Sequence, residues 1–309
     1  MDKMKLKLPN FLIVGAAKSG TTSLYYYLKQ HPEIYMSDFK EPQFFSFYGI
    51  QKRIFLKNIF PNLENKFIRD WKSYLLLFQN NNDFKVIGEA STSYLFNYQR
   101  VIKNLNEYLP MWKKLKIVII IRNPIDACFS HYSMYRMRGD EPLVFEKALE
   151  AEKERVSKKY ITLAHSIRFF FYHQVKAYLD NFDHVKIYLY DDLKKDALGL
   201  TKDMYGFLGV DPSFVPDISI RFNVSGIPKN KFIHKFLKEP NILKSVVKPI
   251  IKTLVPKEER RKIIEKIKMK NLQKPQMKPE THEYLKNLYR EDILKLQDLI
   301  KRDLSSWLE

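Results

Sequence analysis

The chain has 309 residues, enough for one large α/β domain or two small ones, and its 45% apolar content can supply a sizeable core. Lysine and arginine outnumber acidic residues 54 to 35, a formal charge of +19 that favours an anionic partner, while a single cysteine, Cys128, excludes an internal disulfide and a cysteine-rich zinc site. No apolar run approaches the ~18 residues of a membrane span and MDKMKLKLPN leads into the first strand without a signal-peptide core, so a cytoplasmic protein is expected.

The first element is carried by FLIVGAAKSGTTSLYYYL, residues 11 to 28. Phe11, Leu12, Ile13 and Val14 form an unbroken apolar run that suits an interior parallel strand, and Gly15 closes it. Thr21 and Thr22 stand where a helix starts, with Leu24, Tyr25 and Leu28 spaced for one buried face. The loop from Ala16 to Gly20 therefore empties onto a helix N-terminus, where free N–H groups and the helix dipole favour an anion, and Lys18, Ser19, Thr21 and Thr22 add a cation and hydroxyl donors. A phosphate-like ligand is expected. Gly15 and Gly20 keep the spacing of a nucleotide-triphosphatase P-loop, but Thr21 takes the place of its lysine and Lys18 lies two residues before Gly20.

Beyond this helix, Pro32 is a stop signal and His31 reads as a capping or packing residue. In Lys40-Glu41-Pro42-Gln43-Phe44-Phe45 the aromatics call for burial, and a carboxylate next to buried aromatics, offset by Lys40 or Lys18, can act as a general base; an exposed Lys-Glu turn is the plainer alternative. Residues 54 to 78 read as one or two helices broken at Pro61, residues 85 to 91 as a strand ending in a polar turn, and residues 94 to 109 as a helix. A doubly wound sheet binds ligands at the carboxyl ends of its strands, so Glu89, Ser91 and Ser93 are expected to face the same crevice as Lys18. The interior strand LKIVIII ends in Arg122-Asn123-Pro124, a forked phosphate binder followed by a proline suited to a helix start, and Ser130 on that helix lies within reach of the same phosphate.

Helices are expected over 127–138, 143–156 and 161–182, the last carrying His165 and His173 without the i, i+4 spacing of a metal pair. VKIYLY at 185–190 is a further strand. Its Asp191-Asp192 keeps open an alternative reading as a kinase or NTPase using Mg-ATP, against which the misplaced loop lysine counts. Residues 216–226 read as irregular. Residues 229–278 hold 16 Lys/Arg against 4 Asp/Glu, as solvated faces of basic helices or as a surface for a polyanion or an acidic membrane, and a non-enzymatic protein binding nucleic acid or membrane is the second alternative. Residues 280–300 form a last amphipathic helix with Leu285, Leu288, Ile293, Leu296, Leu299 and Ile300 on its core face.

KSGTTS at 18–23, KEPQFF at 40–45, GEAS at 88–91 and RNP followed by Ser130 together resemble the sulfotransferases that use 3'-phosphoadenylyl sulfate (PAPS), particularly bacterial members related to heparan sulfate and other carbohydrate sulfotransferases. Asp191-Asp192-Leu193, Phe207-Leu208-Gly209 and the closing stretch from Tyr289 to Trp307 are similar to weaker family patterns. The resemblance implies one domain over residues 1–309, with a basic helical region at about 229–309, in a P-loop-like three-layer α/β/α fold around a mostly parallel sheet. It implies that Lys18, Ser19, Gly20, Thr21, Thr22 and Ser23 bind the 5'-phosphosulfate and Arg122 and Ser130 the 3'-phosphate. Glu41 falls at the family's catalytic base and Lys18 next to the transferred group. The expected reaction is in-line transfer from PAPS to an acceptor hydroxyl, with PAP as product and no metal required. The expected partner is a carbohydrate acceptor, anionic or neutral, with no specific nucleic acid and with peripheral membrane contact through 229–278. The chain departs from several carbohydrate members at Ala90, where they carry a lysine that Lys18 or Lys40 would have to replace. The family's C-terminal basic segment that helps bind the 3'-phosphate has no clear counterpart, and Arg221 and Lys229 stand in as guesses.

Overall fold

The computed structural model describes residues 8–50, 67–79, 81, 83–158, 161–219 and 276–309, with the backbone of 227–228 and 272–273. Among the described residues five strands form one parallel sheet: β1 (Phe11–Gly15), β2 (Ile34–Met36), β3 (Val86–Ala90), β4 (Lys116–Ile121) and β5 (His184–Leu189), in the order β2-β3-β1-β4-β5. Every pairing is parallel, with Phe11 opposite Gly88 on one side and Lys116 on the other. All five carboxyl ends therefore open on the same edge, and β1 is central. A Cβ on Gly88 would lie 2.2 Å from the Phe11 ring, so glycine is what lets β3 approach the bulky first residue of β1.

Side chains alternate across the strands, and the two faces fill two separate cores. Leu12, Val14, Ile87, Ile117, Ile119 and Ile121 point to one side. There they meet α5 (Tyr98–Tyr108), α6 (Pro124–Arg138), α9 (Phe171–Asn181) and α12 (Pro279–Ile300), through residues such as Leu105, Cys128, Tyr178 and Leu285. Phe11, Ile13, Val118 and Ile120 point to the other side, against α1 (Thr21–Leu28) and α11 (Ala197–Leu208). This is the three-layer α/β/α arrangement that the resemblance implies, and the unbroken apolar runs are its interior strands. The shorter helices α2 (Phe44–Phe47), α3 (Trp71–Leu76), α4 (Ser93–Phe96), α7 (Phe145–Glu150), α8 (Glu152–Ser157) and α10 (Tyr190–Lys195) complete the connections. No helix among the described residues is long and apolar enough to cross a membrane.

Three expected helices are broken, each at an identifiable place. Residues 94–109 split at Asn97 and residues 143–156 at Ala151. The long helix over 161–182 is replaced by two 3-10 turns, Ile161–Leu163 and Ile167–Phe169, followed by α9. Side chains from elsewhere take over the backbone groups that a continuous helix would have used: Glu152 accepts from the Ser166 N–H at 2.7 Å, and Asp292 on α12 accepts from the Phe171 N–H at 2.6 Å. His165 and His173 thus sit on different elements. The final helix keeps its expected face, with Leu285, Ile293 and Leu296 buried alongside Tyr289. The basic stretch 229–278, the candidates Arg221 and Lys229 and the Pro61 break lie outside the described residues or almost entirely so.

Candidate functional site

The loop after β1 is shaped by two left-handed residues, Lys18 at φ 64° and Gly20 at φ 94°. Gly20 is the cap residue of α1 and gives it no side-chain cap, and a Cβ there would lie 2.7 Å from Leu193 and 3.0 Å from the Tyr190 ring. The loop is thereby pressed onto α10, and in the first turn of α1 the Ser23 and Leu24 N–H groups donate to the Gly20 carbonyl at 3.0 and 3.3 Å. Ser19 and Thr21 are buried in this turn, with Thr22 and Ser23 half-buried beside them.

Arg122, one residue beyond β4, joins the loop directly. Its Nη1 donates to the Lys18 carbonyl at 3.5 Å, its Nη2 pairs with Asp126 at 2.8 Å, and its guanidinium lies 5.0 Å over the Tyr190 ring. Its Nε is buried without a partner among the described residues. Asn123 caps α6 by accepting from the Ile125 N–H at 3.0 Å, with Pro124 as its first residue, and Ser130 sits six residues into that helix, nearly buried.

The KEPQ segment reaches the same edge from the other side of β1. Its backbone docks on β3 through Glu41 N–H to the Ala90 carbonyl at 3.1 Å, and both Glu41 (φ 59°) and Gln43 (φ 54°) are left-handed. Such residues cost on the order of 1–3 kcal/mol each and persist only where surrounding contacts hold them. Lys40 Nζ lies 3.2 Å from one Glu41 carboxylate oxygen and Gln43 Nε2 donates to the other at 3.1 Å, while the carboxylate stays about a third exposed. Burial, then the Arg138 and Arg122 guanidiniums, lower Lys18 to about 8, with the Glu41 charge acting against them. Lys18, Arg122, Arg138, Lys40 and Glu41 therefore share one field: a cationic cleft that holds the partly exposed Glu41 carboxylate, with the more exposed Asp126 paired to Arg122 at its edge.

Glu89, Ser91 and Ser93 do not face this crevice as the sequence suggests. Glu89 and Ser91 are fully buried beneath α2, and Ser93 hydrogen-bonds Ser46 at 2.8 Å. Burial raises Glu89 to about 7 despite hydroxyl donors from Tyr94, Ser91 and Tyr74. His31 is a packing residue, its Nε2 3.0 Å from the Asp211 carbonyl and its Nδ1 accepting from the Glu33 N–H at 3.1 Å. Asp192 is clamped by Arg302 at 3.0 Å and Asp191 accepts from the Trp307 indole at 3.3 Å, so the acidic pair after β5 fastens the C-terminal segment.

Neither Arg138 nor Tyr190 stands in a motif of the sequence. Ser130 and Arg138 are eight residues apart on one helix, and that spacing is the signal that could have paired them. The sequence also gave no hint of a buried chain behind the cleft: His131 Nδ1 meets His165 Nδ1 at 2.8 Å, His165 Nε2 meets Glu141 at 3.0 Å, and Arg155 grips Glu141 at 2.6 Å and 3.0 Å. Burial holds both imidazoles below their ordinary range, aided at His131 by Arg168. Burial works to raise Glu141, but the bonds from His165 and Arg155 and the Leu143 N–H take it down to about 2. A histidine kept neutral by the fold loses stabilisation as pH falls below its unfolded value of about 6.5, because only the unfolded chain takes up the proton freely. Glu89 and Asp292, both raised, act the opposite way, so the effect is read by difference. The stability gap between wild type and His131→Asn is expected to narrow from pH 7.5 to pH 5.5 in urea unfolding. A gap that widens would mean that the fold holds His131 charged.

A profile of the sulfotransferase domain matches residues 8–298. A crystal structure of a sulfotransferase from Alicyclobacillus acidocaldarius superposes with a TM-score of 0.71 at 30% identity, covering 98% of this chain and all of that one. Among curated proteins, the membrane-associated sulfotransferase kil1 of Dictyostelium discoideum is 30% identical over 127 residues, 41% of this chain and 23% of that protein. The human bifunctional heparan sulfate N-deacetylase/N-sulfotransferase 2 is 30% identical over 139 residues, 43% of this chain and 14% of that protein. The match thus spans less than a quarter of these two curated relatives. With the profile covering nearly the whole length and the fold shared with a sulfotransferase of 30% identity, the chain belongs to the sulfotransferase domain family.

Proposed function

We propose that the protein transfers a sulfuryl group from 3'-phosphoadenylyl sulfate to a carbohydrate acceptor, with Glu41 as general base. The observation that carries this reading is the cationic cleft itself, with the partly exposed Glu41 carboxylate held by Lys40 and Gln43 within the field of Lys18. The residues present suit a doubly phosphorylated nucleotide: Arg122 has an unpartnered buried Nε, α1 has no side-chain cap, and Lys18 is crowded by like charges that an anion would relieve.

Lys18, Ser19, Gly20, Thr21, Thr22 and Ser23 would hold the phosphosulfate end, and Arg122 with Ser130 the 3'-phosphate. When bound, the nucleotide supplies the sulfuryl group, its bond from sulfur to the bridging oxygen breaking as the acceptor oxygen bonds to sulfur, and PAP leaves. Glu41 takes the acceptor proton. Lys18 and the loop amides stabilise charge gathering on the bridging oxygen. Ala90 is buried in the second core, and Lys40, already 3.2 Å from Glu41, takes the place of the lysine that several family members carry there. The acceptor class is supported by the heparan sulfate enzymes among the relatives. Because those enzymes are N-sulfotransferases, acceptor screens should include amino sugars beside hydroxyl acceptors.

Calorimetry separates this from the Mg-ATP reading, which the engagement of Asp191 and Asp192 with the C-terminal segment already disfavours. Adenosine 3',5'-bisphosphate is expected to bind equally with and without magnesium, and ATP much more weakly. Tight, magnesium-dependent ATP binding with no response to the bisphosphate would overturn the proposal.

A further inference from the structure

Glu89 is a buried carboxylate of the site region that the mechanism above does not use. It is fully buried, and its surroundings determine where every proton between it and the KEPQ loop must lie. Backbone N–H groups can only donate. The Gln43 N–H points at Ser91 Oγ at 3.0 Å and the Phe45 N–H at the Tyr94 hydroxyl oxygen at 3.4 Å, so both hydroxyls must be acceptors there. Their own hydrogens then have one destination, Glu89, which accepts from Ser91 at 2.7 Å on one oxygen and from Tyr94 at 2.6 Å on the other. Gln43, so held, donates its side-chain amide to Glu41.

We propose that Glu89 is a positioning residue for the base: it orients Ser91 and Tyr94 so that their lone pairs pin residues 43–45, and through Gln43 it holds Glu41 in its left-handed pose. The proposal rests on the reading of Glu41 as the base. A carboxylate is the group suited to this post, because a carboxamide there would turn an N–H toward hydroxyls that must themselves donate.

The test uses the full chain with Glu89→Gln and, should that variant fold poorly, Ser91→Ala, which removes the hydroxyl joining Glu89 to Gln43 and keeps the carboxylate and its Tyr94 link. Hydrogen exchange at pH 8 is expected to quicken about tenfold or more over residues 41–47 while β1 and β4 keep their protection. With PAPS as donor and a desulfated heparan sulfate oligosaccharide as probe acceptor, kcat should fall about tenfold or more, with the affinity for adenosine 3',5'-bisphosphate within about twofold of wild type. In a Glu41→Gln background the same substitution should cost less than about twofold, since a residue acting through Glu41 has nothing left to position. Unchanged exchange over 41–47, faster exchange with wild-type turnover, or fully additive losses would each overturn the proposal. Failure of the underlying reading shows in a different variant: Glu41→Gln alone would turn over normally, and the positioning role would fall with it.

Discussion

Glu41→Gln is expected to bind adenosine 3',5'-bisphosphate within about twofold of wild type and to turn over about 10² to 10⁴ times more slowly, a loss of roughly 3–5 kcal/mol of transition-state stabilisation. The substitution keeps size and removes proton acceptance, and the split between affinity and turnover follows from where the side chain sits. Glu41 lies across the strand ends from Arg122 and the α1 N-terminus, docked through its own N–H on Ala90, so the nucleotide contacts proposed above do not include it. Lys40 and Gln43 each occupy one carboxylate oxygen from one side, which leaves lone pairs of an exposed group for an acceptor proton. Near-normal turnover of the glutamine variant would remove the base assignment. His31 and Glu89 could not readily take over, since both His31 ring nitrogens are engaged and Glu89 is fully buried.

What the sequence disclosed follows a physical division between local and distant causes. The strands of β1 and β4 were legible because five and six residues of nearly unbroken apolar character ended in glycine or in Arg122-Asn123-Pro124. Loop chemistry after them was legible for the same reason: glycine spacing and a helix start are local signals. Strand β2 was not, since three residues cannot display a period. The left-handed backbone at Glu41 and Gln43 was not either, because neither residue type favours it; contacts from Ala90 and Ser91, nearly fifty residues on, hold it there. The helix expected over 161–182 failed in the same way. Its apolar spacing suits a helix, but Glu141, Glu152 and Asp292, remote in sequence, supply competing partners to its backbone and to His165. At the site, the single residues Lys18, Glu41 and Arg122 could be named, but the cationic company of Lys18 and the buried scaffold behind Glu41 depend on contacts made only in the folded chain.

Lys18→Ala should behave differently from the Glu41 variant, losing affinity and turnover together. Lys18 shares the cleft with Arg122, whose Nη1 donates to its carbonyl, and stands on the loop that presents the α1 N-terminus. Its ammonium would therefore meet the nucleotide both before and during transfer. A charge-assisted hydrogen bond contributes about 1.5–3 kcal/mol, or roughly one to two powers of ten in affinity. Loss of a donor to the oxygen that gathers charge costs turnover about another 10²- to 10³-fold. The pH dependence supplies an independent check with a defined sign. Burial and the neighbouring guanidiniums place the free Lys18 at about 8, so it is largely charged at pH 7 and loses its proton as pH rises through 8. An anion favours the charged form, and affinity for adenosine 3',5'-bisphosphate should weaken between pH 7 and pH 9.5 in wild type. In Lys18→Ala that slope should flatten while the residual affinity from Arg122 and the helix terminus remains. A variant that binds weakly but keeps the full slope would place the titrating group elsewhere in the cleft, and one with wild-type affinity and turnover would remove Lys18 from the site altogether.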